Sequence, residues 1–400
     1  MTNENVAVTN FRQYLRIRSV PPEPDYEGCV SFLSGLADEL RIEKHRYEPV
    51  KGFPCLVLTI PGTSPNLPSI MFYSHMDVVP VFEEHWKHDP FSAVKEENGD
   101  IYGRGTQDMK CVGIQYIEAL RKLFEDGKKQ FLRTIHLIYG ADEEMGGYKG
   151  MAEFTKTKDF EELNVGWIMD EGLASPNETY QVYYGERNPW WGRVTFVGNP
   201  GHVMEFIENT AMEKLNHFLN SALAYRAKWK KTLESDPNLK LGDVPTINLP
   251  IVKGGVQANV IPDKFVLEFS IRVPPTMHFD SIKNEIEGWV EAAGRDVHLE
   301  WVARPCVSNI TETTNENPFW VAFEKTLTQE GCKINKAIFP GSTDSKHVRQ
   351  KGYKSLGFSP MNNTPVLLHD HNEFLNEKVF LRGVEIYEKL IENLANVSFQ

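Results

Sequence analysis

Histidine and acidic residues gather in five short clusters along this chain of 400 residues. Each cluster lies where a predicted strand ends or in an adjoining loop. In an open α/β sheet, ligands bind outside the carboxyl ends of the strands, so clusters that are distant in sequence can converge there. The five clusters are Ser74–Pro80, Tyr102–Lys110, Ala141–Gly147, Asp170–Gly172 and Leu368–Glu373.

The chemistry of these side chains favours a metal centre. Carboxylate oxygens combined with imidazole nitrogens suit Zn(II), with Mn(II) and Co(II) as alternatives. Two metals about 3.5–4 Å apart can lower the pKa of a water molecule from 15.7 towards about 7. Such a water molecule supplies hydroxide at neutral pH, and the hydrolysis of an amide bond requires a nucleophile of this strength.

Each cluster taken alone has an ordinary structural explanation. The pair His75 and Asp77 is more often structural than catalytic, and Asp108 stands where it could simply cap a helix. The adjacent Glu143 and Glu144 could form a solvated turn. At the end of a buried strand, however, such neighbours can divide two tasks, one binding metal and the other acting as general base.

The elements around the clusters alternate between strand and helix. Short apolar runs at Leu67–Tyr73, Thr134–Tyr139 and Val165–Met169 predict buried strands, and the spacing of apolar residues predicts a helix over Met109–Glu125. This alternation indicates an α/β fold with a mostly parallel, doubly wound sheet.

The middle of the chain follows a different pattern. Its predicted order is β-α-β-β-α-β, which is typical of a ferredoxin-like domain. We therefore expect a discontinuous catalytic domain, 1–188 and 309–400, with a lid or dimerisation domain inserted at 189–308.

Composition limits the possible partners and the location. The net charge of −12 argues against nucleic acid and anionic membranes as partners. The start of the chain shows no secretory signal, and the five cysteines show no metal-binding or disulfide spacing. We expect reduced thiols and a cytoplasmic location.

Seven stretches, in this order, carry a resemblance to a known family. They are Ser74–Phe82, Arg104–Lys110, Asp142–Gly147, Glu186–Trp191, Pro200–His202, Gly357–Asn362 and Pro365–His371. The chain resembles the dizinc metallopeptidase family of aminoacylase and carboxypeptidase G, nearly from end to end, and most closely its aminoacylase members. The resemblance implies hydrolysis of N-acyl-L-amino acids by a homodimer with two zinc ions per subunit.

The resemblance also implies a set of metal ligands. His75 and Glu171 would bind one zinc, Glu144 and His369 would bind the other, and Asp108 would bridge both. Two of these assignments have a neighbouring alternative, namely Asp170 in place of Glu171 and His371 in place of His369.

The same resemblance implies roles for three further residues. Glu143 would act as general base and acid, and Asp77 would support the first histidine ligand. His202 would reach the active site of a partner subunit and stabilise an oxyanion. Apart from the resemblance, two interpretations of Arg272 stay open: it belongs to a solvated strand face, or its guanidinium binds the substrate carboxylate through two hydrogen bonds. Asn259 would add a polar contact to the same substrate.

Other functions remain open from the sequence. A dipeptidase or carboxypeptidase would use the same metal ligands. The alternative that is not an enzyme is a catalytically silent binding protein with this fold, although the complete set of metal ligands argues against it.

Overall fold

The computed structural model describes residues 4–398, which form two compact units. The first unit runs to Gly185 and continues with Asn309–Lys336 and the chain from Thr343 onwards. The second unit comprises Glu186–Ser308 and Ala337–Ser342. Residues 1–3, which begin the segment where no secretory signal is predicted, lie outside the described part. Along residues 4–398, no helix combines the length and apolar character needed to cross a bilayer.

The elements follow one another in three stretches of the chain. Up to Glu186 they are α1 (Val6–Leu15), α2 (Tyr26–Leu40), β1 (Glu43–Val50), β2 (Phe53–Ile60), β3 (Ser69–His75), β4 (Val94–Lys95), β5 (Asp100–Tyr102), α3 (Lys110–Glu125), β6 (Ile135–Gly140), α4 (Met151–Phe154), α5 (Lys158–Glu162), β7 (Val165–Asp170) and β8 (Thr179–Glu186). The middle contains β9 (Asn188–Val197), β10 (Gly201–His202), α6 (Ala211–Ser235), β11 (Thr246–Gly254), β12 (Val260–Ile261), β13 (Lys264–Val273), α7 (Phe279–Ala292) and β14 (Val297–Ala303). The last stretch contains α8 (Pro318–Gln329), β15 (Lys333–Phe339), α9 (Ser345–Gln350), β16 (Ser355–Phe358), β17 (Phe374–Asn376) and α10 (Glu377–Ala395).

The large sheet has the strand order β1-β2-β6-β3-β7-β16-β8-β15. Its centre, β6-β3-β7-β16, is parallel throughout. Towards the sides, β1 and β2 run antiparallel to their neighbours, and β8 runs antiparallel to β16. The predicted α/β class with a mostly parallel sheet is therefore confirmed, and the antiparallel pairs lie outside the parallel centre.

Helices cover both faces of this sheet. Alternate residues of a strand point to opposite faces. Accordingly, Ile70 and Phe72 of β3 pack into the core that α1, α2, α3, α8 and α10 share. Met71 and Tyr73 pack into a second core with α4, α5 and α9. All residues of β3 are consequently buried, including His75 at its end.

The second unit contains an antiparallel four-stranded sheet with the order β11-β13-β9-β14. Helices α6 and α7 pack their Phe218 and Ile286 into the same core as Phe269 of β13. Helix α6 begins with a capping box between Thr210 and Glu213. The order of its main elements, β9-α6-β11-β13-α7-β14, is β-α-β-β-α-β.

Candidate metal centre

Three neighbouring parallel strands end at the same edge of the large sheet and deliver most of the candidate ligands. His75 is the last residue of β3, and it pairs in register with Gly140 at the end of β6. Glu143 and Glu144 follow three and four residues later. Glu171 directly follows β7, the other neighbour of β3. The fold thus brings together residues that are nearly a hundred positions apart.

Asp108 lies between two imidazoles. Its Oδ1 is 3.0 Å from Nε2 of His75, and its Oδ2 is 3.1 Å from Nε2 of His369. His369 also lies 3.1 Å from Oε2 of Glu144, and His75 lies 3.7 Å from Oε2 of Glu171. Because each oxygen of Asp108 faces a different histidine, the carboxylate has the arrangement of a bridge between two ligand groups.

Two sets of three donor atoms are close enough to share an ion. Donor atoms of His75, Glu143 and Glu171 lie within 4.8 Å of one another, and so do those of His75, Asp108 and Glu144. His75 belongs to both sets, and His369 extends the second through its contacts with Asp108 and Glu144. The donors are carboxylates and imidazoles, so the residues fit a centre for divalent metal ions.

The carboxylates of this cluster are crowded and shielded from water. Burial raises the pKa of Glu143 and of Glu171 well above the usual range, and each is raised further by a neighbouring carboxylate. Burial and the nearby Asp108 raise the pKa of Glu144 to about 7. A divalent cation would relieve this repulsion, because a bound ion is often the largest local charge in such a site.

For the two histidines and Asp108, in contrast, the surroundings favour the charged form of each side chain. Burial opposes protonation of His75, but Glu171 and Asp108 raise the pKa of its imidazole well above the usual range. The contact with Asp108, followed by that with Glu144, raises the pKa of His369 to about 10. Despite burial, both imidazoles hold the pKa of the Asp108 carboxyl below its usual range. These imidazoles occupy positions where positive charge is favoured.

Asp77 supports the cluster through two different groups. Its backbone oxygen lies 2.9 Å from Nδ1 of His75, which leaves Nε2 directed at the cluster. Its carboxylate lies 3.8 Å from the same Nδ1 and instead accepts the backbone N–H groups of Glu143 (3.3 Å) and Glu144 (3.0 Å). Asp77 therefore orients a histidine with its carbonyl and fixes the glutamate turn with its side chain.

The glutamate turn also depends on a glycine. Gly147 has φ +67°, and a Cβ at this position would lie 1.8 Å from Oδ1 of Asp344. A side chain is therefore excluded both by backbone conformation and by space. Asp344 itself accepts a hydrogen bond from the Tyr73 hydroxyl.

Asp170 and Glu171 face different surroundings. Oδ2 of Asp170 accepts hydrogen bonds from Thr343 Oγ1 (3.1 Å), Ser345 N (3.0 Å) and Ser345 Oγ (2.6 Å), whereas Glu171 lies beside His75. Thr343 and Ser345 are not among the site residues predicted from the sequence. The polar run at 342–345, which leads into α9, is the available signal.

His369 and His371 differ in the same way. His369 contacts Asp108 and Glu144, whereas the ring of His371 packs against His85 with ring centres 4.9 Å apart. Of the two histidines, His369 is the one that faces the carboxylates.

Three further candidates lie in the second unit. His202 and Asn259 are exposed and belong to adjoining segments, because His202 of β10 pairs with Val260 of β12. Arg272 lies at the far end of β13, eight residues beyond Lys264, and a strand rises about 3.3 Å per residue. The second unit therefore brings His202 and Asn259 together and holds Arg272 well away from them.

Arg272 is half-buried in the sheet. Burial lowers the pKa of its guanidinium, and the nearby Glu186 acts in the opposite direction. Strand β13 alternates buried and half-buried residues, and Arg272 shares the half-buried face with Glu268 and Ser270.

Comparison with known proteins identifies the family. Residues 71–393 match the model of peptidase family M20/M25/M40. Aminoacylase-1 of Mus musculus is 48% identical over 395 residues, which cover 99% of this chain and 97% of that protein. An aminopeptidase structure from Bacillus cereus has a TM-score of 0.74 at 17% identity, covering 98% of this chain and 99% of that one. A dinuclear metal-binding peptidase from Bacillus subtilis has a TM-score of 0.66 at 16% identity, covering 96% and 97%.

At such low identities the two structures support the fold alone. At the level of sequence, the family model spans residues 71–393, and the aminoacylase matches 99% of the chain. The resemblance seen in the sequence is thereby confirmed: the chain belongs to peptidase family M20/M25/M40.

Proposed function

We propose that this chain is a metal-dependent amidohydrolase that cleaves N-acyl-L-amino acids into a carboxylate and a free L-amino acid. The observation that carries the proposal is 48% identity to an aminoacylase-1 over 99% of the chain. The buried cluster of carboxylates and imidazoles in the first unit supports it, since such a cluster suits metal-assisted hydrolysis.

We assign two zinc ions to this cluster. His75 and Glu171 would hold one ion, Glu144 and His369 would hold the other, and Asp108 would bridge them. When bound, the two ions would lower the pKa of a water molecule and polarise the scissile carbonyl. The absence of cysteine from the donor set agrees with zinc, manganese or cobalt, of which we propose zinc.

Glu143 is the proposed general base and acid. Its Oε2 lies 4.0 Å from Nε2 of His75, so the carboxylate stands at the edge of the metal cluster. In this role it takes a proton from the attacking water and passes that proton to the nitrogen of the leaving amine. The amide C–N bond breaks as the nitrogen is protonated, which releases the free amino acid. A base with a raised pKa is suited to this double task near neutral pH.

The second unit would supply the substrate contacts and the dimer surface, and would act as a lid. His202 is exposed, and the apolar side chains of Val203, Met204 and Phe206 beside it are exposed as well. Exposed apolar patches mark interaction surfaces, so a second copy of the chain is the proposed occupant. His202 would then donate a hydrogen bond to the oxyanion in the partner's site.

Arg272 and Asn259 complete the proposed substrate contacts. The half-buried guanidinium of Arg272 can bind a carboxylate through two parallel hydrogen bonds. The amide of Asn259 would add a polar contact to the same substrate.

A cytoplasmic location is proposed from the cysteines. All five are free thiols, and three of them are buried, which agrees with a reducing compartment.

The first experiment is hydrolysis of N-acetyl-L-methionine by purified protein, before chelation, after chelation and after the return of zinc. We expect activity to disappear with the metal and to return with zinc. Turnover that is unaffected by complete removal of metal would contradict the proposal.

A panel of substrates separates the aminoacylase from a dipeptidase or carboxypeptidase with the same ligands. N-acetyl amino acids are compared with unblocked dipeptides, because a dipeptidase requires the free amine. Preference for dipeptides would favour the peptidase, and zinc binding with no hydrolysis of either class would favour a silent binding protein.

A further inference from the structure

Two buried polar side chains, Gln107 and Glu373, connect the loop before Asp108 with the loop that carries His369. Gln107 is 4% exposed and Glu373 is fully buried. Buried amide and carboxylate groups destabilise a fold unless they are hydrogen-bonded. The partners of these two side chains therefore indicate what they hold in place.

The carboxylate of Glu373 binds the backbone that leads into Asp108. Its Oε1 accepts the N–H groups of Gln107 (2.6 Å) and Asp108 (3.3 Å). Its Oε2 accepts the guanidinium of Arg104 (2.8 Å) and the N–H group of Gly105 (3.1 Å). One side chain from the His369 loop thus fixes four donors on the Asp108 loop, and Arg104 compensates its charge.

The amide of Gln107 makes the reverse connection. Its Nε2 donates to the carbonyls of Pro365 (3.0 Å) and Phe374 (2.9 Å), and its Oε1 accepts the N–H group of Leu367 (3.1 Å). These contacts lie on both sides of His369. His369 needs such support, because its backbone is in the left-handed region (φ 60°) and its side chain is 49% exposed.

We propose that Gln107 and Glu373 are positioning residues that form a reciprocal clasp between the two loops. The clasp sets the separation of Asp108 and His369, and so the affinity for the metal that these residues would share with Glu144. This inference rests on the proposed dinuclear centre. Contacts behind metal ligands typically change metal affinity by about 10- to 100-fold when they are removed.

Gln107→Met tests the clasp, because it keeps the length of the side chain and removes its three hydrogen bonds. Zinc affinities of the metal-free full-length protein are measured by chelator competition, which resolves the two successive binding steps. We expect the step that fills the site of Glu144 and His369 to lose about 10- to 100-fold in affinity, and the step at the site of His75 and Glu171 to change less. Lost activity should return in excess zinc. Glu373→Gln should weaken the same step.

Gln115→Met is the matched control. Gln115 is a buried glutamine on α3 whose amide donates to the carbonyl of Phe380 (3.0 Å), away from both loops. It should reproduce any general loss of stability without the change in zinc affinity. If Gln107→Met does not fold, Gln107→Asn, which retains an amide with a shorter reach, takes its place.

Two outcomes overturn the proposal in distinguishable ways. If wild-type protein binds two zinc ions and Gln107→Met binds both with unchanged affinity, the clasp is purely structural. If wild-type protein binds fewer than two ions, the dinuclear centre fails, and the clasp fails with it.

Discussion

His75 and His202 are both proposed to act in the same reaction, yet their surroundings are opposite. His75 is fully buried, with Nδ1 on the carbonyl of Asp77 and Nε2 on Asp108. His202 is exposed on a two-residue strand, and its Nδ1 accepts a hydrogen bond from the backbone of Met204.

This contrast separates the metal cluster, which the first unit encloses by itself, from His202, which is not enclosed in the second unit. Contacts within the first unit orient the buried cluster, and such preorganisation is a main source of catalytic stabilisation. His202 lacks enclosure of this kind in its own unit, so a role in catalysis requires another surface to cover it. The following predictions test this difference.

Glu143→Gln should have the largest effect, because it removes the proton acceptor and preserves the shape of the side chain. We expect kcat for N-acetyl-L-methionine to fall by about 10²- to 10⁴-fold. Zinc content, measured by elemental analysis, should remain at the wild-type level. Glu153→Gln, at a half-buried glutamate that pairs with Lys156, is the control and should retain full activity. Normal turnover by Glu143→Gln with zinc bound would show that the base is another residue.

His202→Ala should lower kcat by about 10²- to 10³-fold, the usual effect of losing one oxyanion donor. Zinc affinity and thermal stability should not change, because the side chain is exposed. His217→Ala, at an exposed histidine on α6, should behave as wild type.

Mixing two inactive variants sharpens this prediction. When His202→Ala and Glu143→Gln subunits are coexpressed, random pairing in a two-fold dimer gives an intact site in about a quarter of all sites. Activity recovered to that level supports action across the dimer. If the mixture stays inactive although mixed dimers are isolated, His202 does not serve the partner's site.

Asp77→Asn should weaken the buried cluster more moderately, because the amide keeps one of the two acceptors that hold the Glu143 turn. We expect zinc affinity to fall by about 10-fold. Chelator competition provides the measurement, and Asp126→Asn, at an exposed position, is the control. Equal affinities for Asp77→Asn and wild type would mean that the turn does not need this carboxylate.

His136 extends the contrast between buried and exposed histidines to stability. Its ring lies between Thr59 Oγ1 (3.0 Å) and the carbonyl of Leu163 (3.2 Å), and burial lowers its pKa from 6.5 to about 4. Between these pH values the unfolded chain binds a proton that the native protein does not. Stability should therefore fall as the pH drops from 6.5 to 4, by about 3 kcal/mol for this group.

The measurement is the free energy of unfolding of wild type and His136→Gln at several pH values. The activity of the variant at neutral pH should equal that of wild type. The stability advantage of wild type over the variant should shrink towards pH 4. His298→Gln, at an exposed histidine of the second unit, is the control for the substitution itself. A difference between wild type and His136→Gln that stays constant with pH would rule out the shifted pKa.

Several buried strands were predicted from their apolar runs, but the hairpin of β1 and β2 was missed. Strand β3 was predicted because Ile70–Tyr73 is continuously apolar, as expected for a strand buried on both faces. Strand β1, Glu43–Val50, is largely polar and was missed. Its position at the edge of the sheet depends on a hairpin with β2, in which Gly52 adopts φ +84°.

The site shows the same limit. Acidic residues and histidines were visible as candidates by their type. The residues alone could not show whether Asp170 or Glu171 faces the metal cluster, because that depends on the direction in which each side chain points. Gln107 gave no signal, since a neutral amide has no distinctive chemistry. Its importance arises from partners such as Pro365, 258 residues further along the chain.

The parallel centre of the large sheet has a consequence for folding kinetics. Strands β3, β6, β7 and β16 come from positions between 69 and 358, so the edge that presents His75 and Glu171 forms only after distant segments have paired. Non-local pairing of this kind is slow. A metal that binds the assembled edge stabilises the native state by mass action. We therefore expect metal to bind late in folding, after the distant strands of the parallel centre have paired.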